Sequence, residues 1–159
     1  MPATYEPIAT TTLGTAATIT FSSIPATYTD IVCVINATAA ASTAYTNLRF
    51  NGDTGTNYSW TLLTGDGATA TSSRGTSTTF IPSLYRSTAQ PTLAIIHLFS
   101  YAGSTNKTVL IENSSDLNGS GVVDRRVGLW RNTAAITQIS FAATLPIGTT
   151  ATLYGIKNA

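Results

Sequence analysis

Apolar and polar positions alternate with a period of two along most of this chain, in short runs separated by turn residues, and the pattern predicts strands. The longest run of β-branched and apolar residues is Pro91 to Tyr101, PTLAIIHLFSY. As a strand it puts Leu93, Ile95, His97 and Phe99 on one face and Ala94, Ile96 and Leu98 on the other. Both faces are then largely apolar, which predicts a central position in a sheet. Pro91, lacking an N–H, suits the first position of the strand, and GSTN at 103–106 is turn chemistry that ends it.

Tyr5 to Leu13 reads as an extended edge segment broken by Pro7, so residues 1–14 form an N-terminal arm or edge strand. Ala17, Ile19 and Phe21 alternate with threonines as in a half-buried strand. Asp30 to Asn36 is apolar on both faces and belongs in the interior of a sheet. Thr38 to Thr46 reads as a loop or one short helical turn. Asn47 to Phe50 is a strand closed by Asn51-Gly52, a pair that favours a type I′ turn because both residues tolerate positive φ. Tyr58 to Leu63 is the next strand, Ala68 to Ser77 a small-residue loop, and Thr78 to Tyr85 an irregular stretch bent at Pro82. Lys107 to Asn113, Val122 to Arg131, Ile136 to Ala142 and Ala151 to Ile156 complete the series, with Ser114 to Gly121 a loop.

No segment has sustained helical periodicity, and nothing alternates as βαβ. About eight to ten strands at regular spacing predict an all-β, antiparallel β-sandwich, with the jelly roll favoured among sandwiches and barrels. Ile31, Cys33, Ile95, Leu98, Ile111 and Phe141 are its expected core.

At 159 residues the chain is expected to be one domain, 1–159. Only 9% of residues are charged, and threonine supplies much of the difference: it is β-branched like valine but presents a hydroxyl, so it tiles the wet face of a sheet without charge. A net charge of +1 with scattered Lys and Arg gives no basic stripe for a phosphate backbone or an anionic membrane. Direct nucleic-acid and membrane partners are therefore not expected. The start of the chain shows no secretion signal, and no apolar run is long enough to cross a bilayer. Cys33 is the single cysteine, which rules out an internal disulfide or a cysteine-cluster metal site, and it reads as a small core hydrophobe.

Catalytic chemistry finds little purchase. His97 is the sole histidine and sits inside the most apolar strand, where a packed core or interface role outweighs a catalytic one. Asp53 in NGDTG and Asp66 in GDG lack the repeated ligand ladder of a calcium loop and read as turn residues. Gly119 and Gly121 lie between strands, outside the loop-to-helix setting that phosphate binding needs. No catalytic residue, metal or cofactor is predicted.

The aromatic residues carry more information. In Val122 to Arg131, Val123, Val127 and Leu129 share one parity and Arg126, Gly128 and Trp130 the other. If the valine face is the core, Trp130 points outward beside Arg126 with the composition of an interface anchor; if the strand is central, Trp130 fills a second buried layer. Trp60, with Tyr58, is either a stacking platform for sugar or a plug at the end of the sandwich.

YEPIATTTLG, TFSSIPATYTDIV, LRFNGDTGTNYSWTLL, VGLWRNTAAIT and the terminal TLYGIKNA together resemble a family of small β-rich virion proteins of tailed phages, notably those of cyanobacteria and aquatic bacteria, over nearly the whole chain. The resemblance implies a virion structural protein made in the host cytoplasm: a capsid decoration (cement) protein, or a tail-fibre or receptor-binding head. It implies a homo-oligomer, a trimer in the cement case, in contact with the major capsid protein or with tail proteins. It carries no active-site residues. Without coiled or heptad segments the chain fits a lattice-binding unit better than a fibre head, and a carbohydrate-binding module using Trp60, Tyr58 and Trp130 is the alternative of a different class.

Overall fold

The computed structural model describes residues 5–116, 118–119 and 121–157. Twelve antiparallel strands form two sheets, and no helix occurs among the described residues. The strands are β1 (Tyr5–Thr12), β2 (Ala17–Phe21), β3 (Asp30–Ala37), β4 (Ala44–Phe50), β5 (Tyr58–Gly65), β6 (Ala70–Thr78), β7 (Ile81–Arg86), β8 (Thr92–Phe99), β9 (Lys107–Ser115), β10 (Val122–Trp130), β11 (Ile139–Leu145) and β12 (Thr150–Ile156). One sheet has eight strands in the order β1-β12-β3-β8-β9-β10-β5-β6, and the other has four in the order β2-β11-β4-β7. The predicted all-β sandwich is therefore the fold, with more strands than its sequence pattern suggested.

The chain folds back on itself in nested pairs: β1 with β12, β2 with β11, β3 with β8 and β4 with β7. The hairpin β5-β6 and the strands β9 and β10 extend the large sheet beyond that nested set. β8 lies between β3 and β9, at the centre expected from its two apolar faces.

The core fills the space between the sheets. Ile19, Phe21, Leu48, Phe50, Ile81, Leu84, Ile139 and Phe141 of the small sheet meet Ile31, Cys33, Ile35, Ala94, Ile96, Leu98, Val109, Ile111 and Leu153 of the large one. Five of the six expected core residues are here; Ile95 is not. It lies half-buried on the outer face of β8, because Ala94, Ile96 and Leu98 take the inward parity. Burial pushes the Cys33 thiol up, as suits an inert core residue.

Two local expectations change. Residues 70–78 form strand β6 rather than a loop: ATSSRGTST has no apolar alternation, and it becomes a strand by pairing with the free edge of β5. Residues 81–86 form β7 despite Pro82, because β7 is the edge of the small sheet, where a missing N–H is tolerated. The N-terminal segment is an edge strand, β1, with a register shift between Pro7 and Ala9. The Asn51-Gly52 turn forms as predicted, with φ of 50° and 68° and a 2.9 Å hydrogen bond from the Asp53 N–H to the Phe50 carbonyl. It joins β4 to β5 across the two sheets. Asn51 Oδ1 also accepts from the N–H groups of Thr137 and Gln138, which ties this turn to the start of β11.

Gly155 in β12 is required by a close approach. A Cβ there would lie 2.3 Å from two ring carbons of Tyr28, which packs flat on the strand. Gly155→Ala is expected to cost about 1–3 kcal/mol through displacement of that ring, read as a lowered midpoint in thermal or chemical unfolding. A midpoint equal to wild type would mean that Tyr28 does not pack there.

Candidate functional site

The four residues singled out in the sequence come together, but inside the sandwich. Trp130 is 1% exposed and Arg126 and Tyr58 are 0% exposed, while Trp60 is half-buried. The outward placement of Trp130 and Arg126 is thus overturned. In β10 it is Val123, Arg125, Val127 and Leu129 that face out, and Asp124, Arg126, Gly128 and Trp130 that face in. The reason is that the inward face at this end of the large sheet is lined by polar and aromatic side chains that bond to one another and to the small sheet, rather than by aliphatic residues, although Arg126 Nε and Nη2 and Trp60 Nε1 are buried there without a hydrogen-bond partner.

Trp130 stacks on Tyr58, with ring centroids 6.3 Å apart, and packs on Phe50 at 5.5 Å. Its Nε1–H donates to Asp53 Oδ2 at 2.7 Å. Burial works to raise the Asp53 carboxyl, but the bonds from Trp130, the Asn57 amide and the Gly55 N–H outweigh it and hold the group below the usual carboxylate range. The Tyr58 hydroxyl accepts from the Phe50 N–H at 3.1 Å, and burial pushes it up to about 12.

Arg126 Nη1 donates to the carbonyls of Pro82 and Ser83, and its guanidinium lies 4.5 Å from the ring centroid of Tyr45 and 5.8 Å from that of Trp60. Asp124 accepts from the Tyr45 hydroxyl at 2.9 Å and from the Asn113 amide at 2.8 Å. Burial, and then the adjacent Asp124, push the Tyr45 hydroxyl up to about 12. Burial also lowers the Arg126 guanidinium, opposed by Asp124 and Tyr45. These contacts join β10 and β9 of the large sheet to β4 and β7 of the small one, a structural role. Tyr58 and Trp130 are thus covered; the half-buried Trp60 lies against Gly75 of β6, where a Cβ would meet its ring at 2.6 Å.

The other side of the large sheet has the opposite character. Its register sets the rows of side chains that share this outer face. One row runs Thr152, Val34, Ile95, Glu112, Arg125, Leu63; the next runs Tyr154, Val32, His97, Leu110, Val127, Thr61. Leu93 and Val123 flank the first row, and Phe99 and Leu129 the second. Leu63, Leu93, Phe99, Val123 and Val127 are 41–62% exposed, so no element of the described chain covers them. Antiparallel sheets in sandwiches usually turn a polar face to water; this one turns leucine, valine, isoleucine and phenylalanine outward. His97 lies in it, half-buried and stacked on Phe99 at 6.2 Å, not in the core. Its charged residues at the centre are Glu112 and Arg125, which pair with each other. A depression of about 390 Å³ opens beside them, against Leu63 and Val123.

This face is the candidate site: a surface of exposed apolar side chains around one ion pair. Sequence reasoning recognised the double apolar character of β8 but weighed an outward Trp130 on β10, where the structure turns that parity inward. Among the described residues no three His, Cys, Asp or Glu side chains gather to hold a metal ion. Compared with known proteins, the chain matches no family model, no curated protein and no solved structure.

Proposed function

We propose that this protein is a structural subunit of a phage virion, a decoration protein that attaches to the capsid shell and reinforces it. The observation that carries the reading is the uncovered apolar face of the large sheet on an otherwise sparsely charged, hydroxyl-rich surface. Exposed apolar area of this extent marks a surface that another protein covers. The sequence resemblance to tailed-phage virion proteins supplies the setting. Nested pairing of β1 with β12, β2 with β11, β3 with β8 and β4 with β7 supports a jelly-roll reading of the sandwich, an architecture common in viral shells. On this reading the protein works by binding alone, needs no cofactor, and has as partners the capsid protein and further copies of itself.

The test is to image particles made with and without the protein. Density distributed over the shell, together with greater resistance of complete particles to heat, is expected. A few copies confined to the tail tip would replace decoration by a tail-fibre or receptor-binding role, and absence from the particle would end the virion reading.

A further inference from the structure

We infer that the outer face of the eight-stranded sheet is the contact between two copies of this chain, packed face to face about a two-fold axis. The inference deepens the assembly role proposed above by naming the partner that covers this face.

Three observations carry it. The first is the concentration of exposed apolar side chains. Among the described residues, Tyr5, Leu63, Leu93, Phe99, Val123, Val127 and Ile147 are the large hydrophobic residues left exposed, and all but Ile147 belong to strands of the large sheet. Leu93, Phe99, Val123, Val127 and Leu63 sit together on its outer side, around the half-buried Ile95.

The second is area. The six strands from β3 to β6 in the sheet order, which a two-fold axis between β9 and β10 lays over one another, at about 4.8 Å spacing and about 3.3 Å rise per residue over eight residues, span roughly 29 by 26 Å, or about 750 Å² on each copy. A stable interface of standard size needs about 800 Å² per partner. Two such sheets can pack about 10 Å apart, as the two sheets of a sandwich do.

The third is charge. At the centre of the face stand one acid and one base side by side, Glu112 and Arg125, on neighbouring strands β9 and β10. A two-fold axis passing between them sets Glu112 of each copy over Arg125 of the other, so all four charges stay paired when the face is covered. A face packed on itself is isologous and makes a dimer, whereas the trimer expected from the family resemblance would need two different surfaces.

The experiment is sedimentation velocity of the purified protein over a concentration series, for wild type and for Val127→Lys and Leu93→Lys. Both positions are exposed, so the substitutions add charge to the face without touching the core; circular dichroism and thermal unfolding verify that each variant is folded, and Leu63→Lys, at 58% exposure, replaces either one that is not. Wild type is expected at twice the 16.6 kDa chain mass, with dissociation at least tenfold easier in each variant. A monomeric wild type, a trimer, or folded variants that dimerise as well as wild type would each overturn the inference. The outcomes separate it from the virion role: a monomer that still decorates shells defeats only the dimer, and a dimer missing from particles defeats only the decoration role.

Discussion

Trp130→Ala is expected to lower the unfolding free energy by about 3–5 kcal/mol, the cost of removing a large aromatic side chain from a packed interior. The side chain is 1% exposed, lies against Phe50 and Tyr58, and leaves a hole between β4 and β5 that neither ring can fill without giving up its own contacts. Most domains have only about 5–15 kcal/mol in total, so the variant should unfold at markedly lower denaturant. Trp130→Phe keeps much of the packing and removes the donor to Asp53, and should cost about 1.5–3 kcal/mol. The pair also predicts a pH effect. The Asp53 carboxyl is held below its ordinary value, so its contribution is fully present above the unfolded value of about 3.9 and is lost as pH falls through the lower folded value. Denaturation measured from pH 6 down to pH 2 should show a shallower acid loss in Trp130→Phe than in wild type. Identical slopes would mean that the bond from Trp130 contributes nothing to holding the carboxylate.

The second large effect is expected at Arg126. Truncation to alanine removes the donor that serves the Pro82 and Ser83 carbonyls, leaves Asp124 without its neighbouring positive charge, and opens space under Tyr45 and Trp60. Removing one member of a buried charged network commonly costs about 3–5 kcal/mol, and that is the loss expected in chemical denaturation. Arg126→Met should lose less, because the thioether chain fills most of the volume between the sheets, although it forfeits the hydrogen bonds, the positive charge beside Asp124 and the cation–ring contacts with Tyr45 and Trp60. A midpoint unchanged in Arg126→Ala would contradict the buried position of the guanidinium.

The strands of the sandwich were readable where side chains alternate cleanly. β3 and β8, apolar on both faces, were placed correctly inside the large sheet. The Asn51-Gly52 turn followed from backbone chemistry alone, since its two positive φ angles need residues of that kind. β6 was not readable, because a run of serine, threonine and glycine carries no period, and its strand state comes from the open edge of β5. β10 misled in a more instructive way. Val123 and Val127 suggest a core face, yet they face out, while an aspartate, an arginine and a glycine face in. Hydrophobicity ranks single residues, whereas burial of Asp124 and Arg126 depends on acceptors and donors brought by Asn113, Tyr45, Pro82 and Ser83 from other strands. Gly128 was the available clue: a Cβ there would meet Ile81 and Val109 at 2.7 and 2.8 Å, which marks its side of the strand as the crowded one. The exposed apolar face was half legible, since Leu93, Ile95 and Phe99 on one parity of β8 put an apolar row opposite the inward one.

The pairing of β1 with β12 bears on how the protein is made. Synthesis is vectorial, and β1 leaves the ribosome before the other strands described, but its neighbour is β12, more than 130 residues later, with Tyr5 opposite Ile156. β2 likewise waits for β11, and one side of β3 for β12. A nascent chain lacking these strands exposes the unpaired backbone edges of β1, β2 and β3 together with the apolar rows of β3 and β8. Closure therefore waits for β12 and is governed by contacts distant in sequence, which places folding in the slow, millisecond-to-second class of β-sandwiches and leaves a window in which unfinished copies can aggregate or be held by chaperones.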